Sequence, residues 1–391
     1  MKQTLRLGRV AGIPVGAHWS VAVIVVIITG MLGGSVLSAA APHQPAAVYW
    51  IVAAATAVLF TGSLLAHELA HAMVARRNGV RVRSITLWML GGVAELDGDP
   101  QSPGADARIA LAGPAASMTA AGVCAGVAAA MGYGRGPAVV TAAVTWLAMM
   151  NGLLAVFNML PGAPLDGGRV LRAVLWRRYR DRGRAGLAAA RAGSVVGTVI
   201  TFAGVADLLV FGSSDGLWLA MIGLFIINAA GAEARTEAAL NALAGLRVSD
   251  VMTPDPVIAP AAFSVAGFTG IAARCRQDVF PVADSGGALA GLVFPDTLAR
   301  VPPADRTEAT LGRVAVAVPP AYLAGPDDPA GPLLLRAPLH GQVAAVVLVH
   351  GRVTGLVTTD DLRAAVRRSR WRLPSPGDRS GGQASRSAGG R

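Results

Sequence analysis

The sequence is poor in charged side chains and in cysteine. Only 15% of its 391 residues are Asp, Glu, Lys or Arg, whereas soluble domains usually carry about 25%. The mean hydropathy is +0.52. The two cysteines, Cys124 and Cys275, stand in unrelated contexts, so neither a disulfide framework nor a thiolate metal site is indicated. The shortage of charge predicts a membrane-embedded protein rather than a soluble one.

Six apolar runs occupy the first two-thirds of the chain. Each is near the length of about 20 residues that a helix needs to cross a bilayer. The runs cover residues 18–37, 47–75, 107–131, 138–160, 185–211 and 217–232.

Positive charge is almost missing from one set of loops. Residues 38–46, 132–137 and 212–216 together carry only Arg135, whereas the N-terminus and the other connections are rich in arginine. Because Lys and Arg are retained on the cytoplasmic side, we expect a multi-pass protein of the plasma membrane with both termini in the cytoplasm.

The same distribution of Lys and Arg also indicates what the chain contacts and whether its N-terminus is cleaved. The net charge of +11 collects at the ends of apolar runs, which favours contact with the lipid bilayer and its anionic head groups over nucleic acid. The N-terminus also resembles a cleaved signal peptide that ends at SVLSAAA. Cleavage would leave an odd number of spans, so six spans are preferred.

The last part of the chain has the charge density of a soluble domain. We divide the chain into a transmembrane domain (1–232), a helical linker (233–246), a soluble tandem (247–370) and a basic tail (371–391) that is predicted to be disordered. VFPVADSGGALAGLVFPDTL and AAVVLVHGRVTGLVTTDDL each read as strand, turn, strand and helix start, which indicates a repeated αβ module.

Two histidines and a glutamate end the second apolar run, in HELAH. His67 and His71 are four residues apart, so on a helix both imidazoles project from one face. This spacing is typical of zinc sites in which the intervening glutamate acts on a metal-bound water. A pair of buried histidines without metal would leave Glu68 unexplained, because a buried carboxylate needs its own partner. We therefore expect zinc here.

A catalytic zinc takes three protein ligands. Asp166 is the strongest candidate for the third, because it follows the fourth run on the same side as the histidines. We expect Gly167 and Gly168 to form a turn that directs the carboxylate inward. Taken alone, LDGG is more typical of a polar turn after a helix, and its pairing with the histidine motif on the same side favours a ligand. His18 and His43 are poorer candidates, since one begins a span and the other lies in an outside loop.

HELAH, NMLPGAPLDGG and GIPVGAHWS resemble the site-2 protease family of intramembrane zinc metalloproteases. The resemblance covers the whole chain, because one branch of that family carries a C-terminal pair of CBS modules. It implies that His67, His71 and Asp166 bind one zinc ion and that Glu68 is the catalytic base. The implied fold is an α-helical polytopic membrane protein of six transmembrane helices with a membrane-edge β-hairpin, plus a cytoplasmic α/β CBS pair.

The resemblance also implies how substrate is handled. Asn158 matches a family asparagine near the zinc, and we expect it to contact the oxyanion or the substrate. Residues 81–97 resemble the hairpin that presents substrate, and Gly113 with Ser117 resembles a helix-packing motif. The substrates of the family are single-span membrane proteins such as anti-sigma factors, cleaved within or near their transmembrane segments.

The soluble tandem leaves two alternatives open. In CBS modules that bind adenosine nucleotides, a Gly-h-h-Thr-x-x-Asp pattern (h, apolar) contacts the ribose and phosphate, and Gly355, Thr358 and Asp361 match it. The first module has Phe294 and Thr297 instead. Either Thr358 and Asp361 form one nucleotide site, or the pair is structural and holds no ligand.

Three functional classes remain after these observations. The first is a zinc endopeptidase with the CBS pair as a candidate regulator. The second is a CBS-regulated transporter or channel, which should spread polar residues through several spans. The third is an inactive scaffold, which is disfavoured while the four site residues are all present.

Overall fold

The computed structural model describes residues 4–89, 91–134 and 136–369, so the predicted tail (371–391) lies outside the described residues. The contacts divide the chain into two compact units, Met1–Glu237 and Ala238–Arg391. The first unit holds the apolar helices and the second holds the short αβ repeats.

Six helices of the first unit are long and apolar enough to cross a membrane. They are α1 (Ser20–Ala40, with a π-helical turn at Leu32–Val36), α2 (Ala46–Arg77), α3 (Pro103–Tyr133), α4 (Ala138–Asn158), α6 (Arg182–Phe211) and α7 (Ser214–Leu243). A shorter amphipathic helix, α5 (Asp166–Tyr179), lies between α4 and α6. The prediction of six spans is confirmed. The last helix continues through Leu243, into the segment that was predicted as a helical linker.

A four-stranded sheet accompanies these helices. Its strands are β1 (Leu5–Val10), β2 (Ile13–Ala17), β3 (Arg81–Trp88) and β4 (Gly91–Asp97). The order is β1-β2-β3-β4; β2 and β3 are parallel, and the other two pairs are antiparallel. The hairpin predicted at residues 81–97 is therefore present, and β4 forms one edge of the sheet.

Small and branched side chains pack the sheet against α2. Ile13 and Ile85 are buried together with Ala72, the residue after His71. Burying two isoleucine side chains contributes on the order of 3–6 kcal/mol. The helix that carries the histidines is thus fixed directly against the sheet that ends in β4.

The second unit repeats one topology. The first copy runs β6 (Ala259–Pro260), α9 (Val265–Ala272), β7 (Phe280–Ala283), β8 (Leu289–Val293) and α10 (Pro295–Ala299), after α8 (Val248–Val251) and β5 (Thr253–Pro254). After α11 (Leu311–Val314), the second copy runs β9 (Leu323–Ala324), α12 (Gly331–Leu334), β10 (Val343–Val349), β11 (Arg352–Thr358) and α13 (Thr359–Ser369). In each copy a short strand pairs in parallel with the next strand, which then forms an antiparallel hairpin. The predicted αβ repeat is confirmed.

The structure differs from the sequence-based predictions in two details. The strands β1 and β2 were not predicted, because Gly8, Gly12 and Gly16 interrupt the alternation of side chains that marks a strand. The predicted turn at Gly167 and Gly168 is wrong, because both residues lie in the first turn of α5.

Candidate metal centre

Three ligand atoms from two helices meet in the first unit. The Nε2 atoms of His67 and His71 lie 3.1 Å apart on α2. The Oδ2 atom of Asp166, the first residue of α5, lies 3.2 Å from the first and 3.1 Å from the second. Ligand atoms on a tetrahedral zinc ion lie roughly 3.3–3.5 Å apart, so the three atoms form a triangle of nearly the required size.

The face of α3 that contacts these histidines fixes the orientation of both rings. The Nδ1 of His71 lies 2.6 Å from the carbonyl oxygen of Ile109, and the Nδ1 of His67 lies 2.9 Å from the Oγ of Ser117. A carbonyl only accepts hydrogen bonds, so His71 carries its proton on Nδ1 and its Nε2 lone pair is free for a metal.

Gly113 lies between those two contacts on α3, four residues from each. A Cβ at this position would collide with the Nε2 atoms of both His67 and His71. The absence of a side chain therefore allows α3 to approach the metal-binding ends of the two rings.

The loop before α5 brings Asp166 to the histidines through close backbone packing. The N–H of Ala163 donates to the carbonyl of Ala189 on α6, at 3.1 Å. A Cβ at Gly193 would collide with the Ala163 carbonyl, and Cβ atoms at Gly167 and Gly168 would collide with the backbone of residues 159–163. The glycines that were expected to form a turn thus serve to pack the start of α5 against its own loop.

The charge of Asp166 suits a metal ligand. Burial raises the pKa of its carboxyl group, but while His67 and His71 are protonated, their contacts with the carboxylate outweigh that effect and lower the pKa to about 2. The carboxylate is therefore ionised at neutral pH, as a zinc ligand must be.

A cavity of about 490 Å³ opens beside the three ligands. It is lined by Glu68 from α2, by Asn158 at the end of α4 and by Trp88, Gly92 and Ala94 of the hairpin. The residues that line it elsewhere include Leu64, Ile109, Pro164, Arg169, Phe225 and Ala229. A Cβ at Gly92 would meet the Cγ and Cδ of Glu68, so the hairpin backbone bounds the space that this carboxylate occupies. Apart from the ligands, the cavity is thus lined by one carboxylate, one amide and one guanidinium, those of Glu68, Asn158 and Arg169.

Comparison with known proteins identifies the family of the chain. The model of peptidase family M50 matches residues 55–134 and 130–204. Rip3 of Mycobacterium tuberculosis (strain H37Rv), provisionally classed as a zinc metalloprotease, is 43% identical over 96% of both chains. The chain belongs to peptidase family M50.

More distant M50 relatives extend the comparison. A zinc metalloprotease of Methanocaldococcus jannaschii is 28% identical over 73% of this chain and 77% of its own. The solved site-2 protease from the same organism covers 59% of this chain and 95% of its own, with 29% identity and a TM-score of 0.40. Membership of family M50 confirms the predicted class of enzyme, a multi-pass zinc metallopeptidase that acts on membrane proteins, over the transporter and the scaffold.

In this M50 peptidase, the residues matched to a nucleotide-binding pattern have a local structural role. The N–H of Thr358 donates to the Asp361 carboxylate at 2.9 Å, and the N–H of Asp361 donates to the Thr358 hydroxyl at 3.2 Å. This reciprocal pair is a capping box at the start of α13. The hydroxyl of Thr253 also donates to Asp361. In the first module, Phe294 is buried and stacks on His340 at 4.5 Å.

Several contacts at the M50 site were not predicted from the sequence. The Ile109 carbonyl is a backbone atom, and no side-chain pattern identifies it. The ion pair between Asp106 and Arg172 joins residues that are 66 positions apart. The only available signal was Asp106 itself, an acidic residue at the start of an apolar helix, where an ionisable side chain needs a partner.

Proposed function

We propose that this chain is an intramembrane zinc endopeptidase in which His67, His71 and Asp166 bind the metal and Glu68 is the general base. The observation that carries the proposal is the triangle of three ligand atoms, with edges of 3.1, 3.1 and 3.2 Å. Glu68 lines the same cavity. Two neutral imidazoles and one carboxylate are a common ligand set for catalytic zinc.

Glu68 and Asn158 then have defined roles beside the metal. Zinc at this position supplies Lewis-acid chemistry and lowers the pKa of a bound water towards about 7. The Glu68 carboxylate accepts the proton of the attacking water and passes it to the nitrogen of the leaving amine. The Asn158 side chain, which donates one hydrogen bond to the Leu154 carbonyl at 3.0 Å, has a second N–H for the oxyanion or the substrate.

The substrate is proposed to enter as an extended segment beside β4. A transmembrane helix keeps its carbonyls in internal hydrogen bonds, so it must unwind before cleavage. β4 lies at the edge of the sheet, and Gly91, Gly92 and Ala94 face the cavity. An exposed strand edge can pair with an added strand through backbone hydrogen bonds, which would hold a scissile peptide in the cavity.

The class of substrate and the orientation in the membrane belong to the same proposal. Single-span membrane proteins such as anti-sigma factors are the expected substrates, on the basis of the family resemblance. The arginine-rich connections favour the plasma membrane with cytoplasmic termini, so product fragments would be released into the cytoplasm.

Replacing Glu68 tests the assignment of the general base. Glu68→Gln should lower cleavage by at least about 100-fold, the lower end of the usual contribution of acid–base catalysis, while the protein keeps one zinc per chain. The readouts are a proteomic comparison of membrane-protein fragments in wild-type and variant cells, and the zinc content of the detergent-purified proteins. Glu308→Gln, at an exposed site in the second unit, is the matched control. A Glu68→Gln variant that still cleaves would overturn the assignment.

For the second unit, the capping box favours the structural alternative over a nucleotide site. Thr358 and Asp361 are already engaged with each other at the start of α13, and Phe294 fills the matching position of the first module. Isothermal titration of the full-length protein with adenosine nucleotides decides between the alternatives. Heat that is present in the wild type and lost in Asp361→Ala identifies one nucleotide site, and no heat at millimolar nucleotide identifies a structural pair.

A further inference from the structure

The three proposed metal ligands come from two helices, so some contact must fix the position of one helix relative to the other. His67 and His71 lie on α2, and Asp166 begins α5. Contacts from Ile109 and Ser117 of α3 orient the two histidines. The position of Asp166 therefore depends on how α5 is held against α3.

One buried ion pair joins α5 to α3. Asp106 is fully buried, and its two carboxylate oxygens accept hydrogen bonds from Nε and Nη2 of Arg172, both at 2.9 Å. Arg169, which lines the cavity, places its Nη2 3.6 Å from the same carboxylate. Asp106 thus contacts two arginines that follow Asp166 on one face of α5, three and six residues on.

Asp106 belongs to the face of α3 that contacts the histidines. It precedes Ile109 by three residues, Gly113 by seven and Ser117 by eleven, a spacing that keeps all four on one side of a helix. A single surface of α3 therefore orients the histidines at one end and binds the arginines of α5 at the other.

The guanidinium of Arg172 also faces the last helix of the first unit. Its Nη1 lies 3.7 Å from a carboxylate oxygen of Glu237 on α7. The same helix supplies Phe225 and Ala229 to the cavity. Arg172 therefore joins three helices, α3, α5 and α7, around the metal centre.

A two-pronged ion pair restrains α5 more than apolar packing does. Apolar contacts tolerate small sliding and rotation of one helix on another, whereas two parallel N–H···O bonds fix both the distance and the angle between guanidinium and carboxylate. A buried pair of this kind often adds little net stability relative to an apolar pair of similar size. Its geometric restraint is the property that an apolar pair lacks.

We propose that Asp106 and Arg172 are positioning residues that hold Asp166 at metal-binding distance from His67 and His71. This inference rests on the proposed zinc site and extends it to residues that do not touch the metal. Partners of metal ligands typically change metal affinity by about 10–100-fold when they are replaced.

The test compares metal binding with fold stability. Arg172→Lys keeps the charge but cannot form the two-pronged contact, and Asp106→Asn keeps the shape of the side chain but removes its charge. Each variant, purified in detergent, should bind zinc at least about 10-fold more weakly in competition with a chelator. The visible absorption bands of the cobalt-substituted protein, which report coordination geometry, should change as well. Arg177→Lys, at an exposed position on the same helix, should match the wild type in both measurements.

The double variant Asp106→Leu/Arg172→Met separates positioning from stabilisation. Although Glu237 loses its contact with Arg172, we expect the thermal midpoint to rise above those of the single Asp106→Leu and Arg172→Met variants, because neither half of the pair is left buried alone, while zinc affinity stays low. If affinity recovers together with the midpoint, the pair only stabilises the fold and the inference is wrong. The inference also fails if Arg172→Lys and Asp106→Asn bind zinc as the wild type does, and in that case the proposed function stands. His71→Ala should bind no zinc. If the wild-type protein also binds none, both this inference and the proposed function are wrong.

Discussion

At the scale of single residues, two glycines face different parts of the catalytic apparatus. A Cβ at Gly113 would collide with the Nε2 atoms of His67 and His71, whereas a Cβ at Gly92 would collide with Glu68. The proposed metal binding and proton transfer would therefore depend on different backbone positions, and the smallest available substitution separates them.

We predict that Gly113→Ala and Gly92→Ala fail in different ways. Gly113→Ala displaces both rings and should weaken zinc binding by about 10–100-fold, as expected when ligand orientation is lost. Gly92→Ala displaces only the base, so it should keep its zinc and lose about 100-fold or more in kcat.

Zinc content by atomic emission and cleavage of a labelled membrane substrate provide the two measurements. Gly122→Ala, on α3 where an added Cβ meets no atom within 4 Å, is the control and should behave as the wild type. If Gly92→Ala and Gly113→Ala lose zinc to the same extent, then Gly92 is not a boundary of the Glu68 site alone.

At the scale of elements, local patterns predicted the helices and the cluster of His67, His71 and Asp166. They did not predict the contacts that hold this cluster in place. Apolar length identifies the six spans, and the spacing of His67 and His71 identifies one half of the site, because both signals are contained in a short stretch of sequence. The proposed third ligand, Asp166, could be predicted because two motifs pointed to the same side of the membrane.

The supporting contacts are long-range, and no local pattern records them. The Ile109 carbonyl and the Asp106–Arg172 pair depend on how α3 packs against α2 and α5. The tight approach at Gly193 joins α6 to a loop about 30 residues earlier in the sequence. The strands β1 and β2 escaped prediction for another reason, since Gly8, Gly12 and Gly16 interrupt the alternation of side chains that marks a strand.

The packing of α6 against the loop before α5 leads to a prediction at this scale. Gly193→Ala forces the α6 backbone away from the Ala163 carbonyl, and overpacking of this kind usually costs about 1–3 kcal/mol. Because that loop leads directly into Asp166, the variant should lower both the thermal midpoint and the zinc affinity. Differential scanning fluorimetry and chelator competition measure the two effects. Gly126→Ala, in open space on α3, should change neither. A destabilised Gly193→Ala protein with wild-type zinc affinity would show that the loop does not control Asp166.

At the scale of the whole molecule, the chemistry and the repeated αβ modules are in separate units. Every residue that is proposed to bind the metal, transfer protons or position a ligand lies within Met1–Glu237. The helix α7 spans the boundary between the units, and it ends at Leu243, which is buried in the core of the second. The groups that are proposed to carry out cleavage are therefore all in the first unit.

A truncated chain that ends after Leu243 should accordingly remain a zinc peptidase. We expect one zinc per chain and persistent cleavage, with a rate that differs from the full-length rate by no more than about 150-fold, the upper end of common allosteric coupling. Any response of the full-length enzyme to adenosine nucleotide should disappear. Circular dichroism establishes that the truncated protein is folded, and zinc content and cleavage are then compared with the full-length chain and with Glu68→Gln. A folded truncated protein without zinc would contradict the assignment of the whole metal centre to the first unit, because the three ligands would then need the second unit to hold them in place.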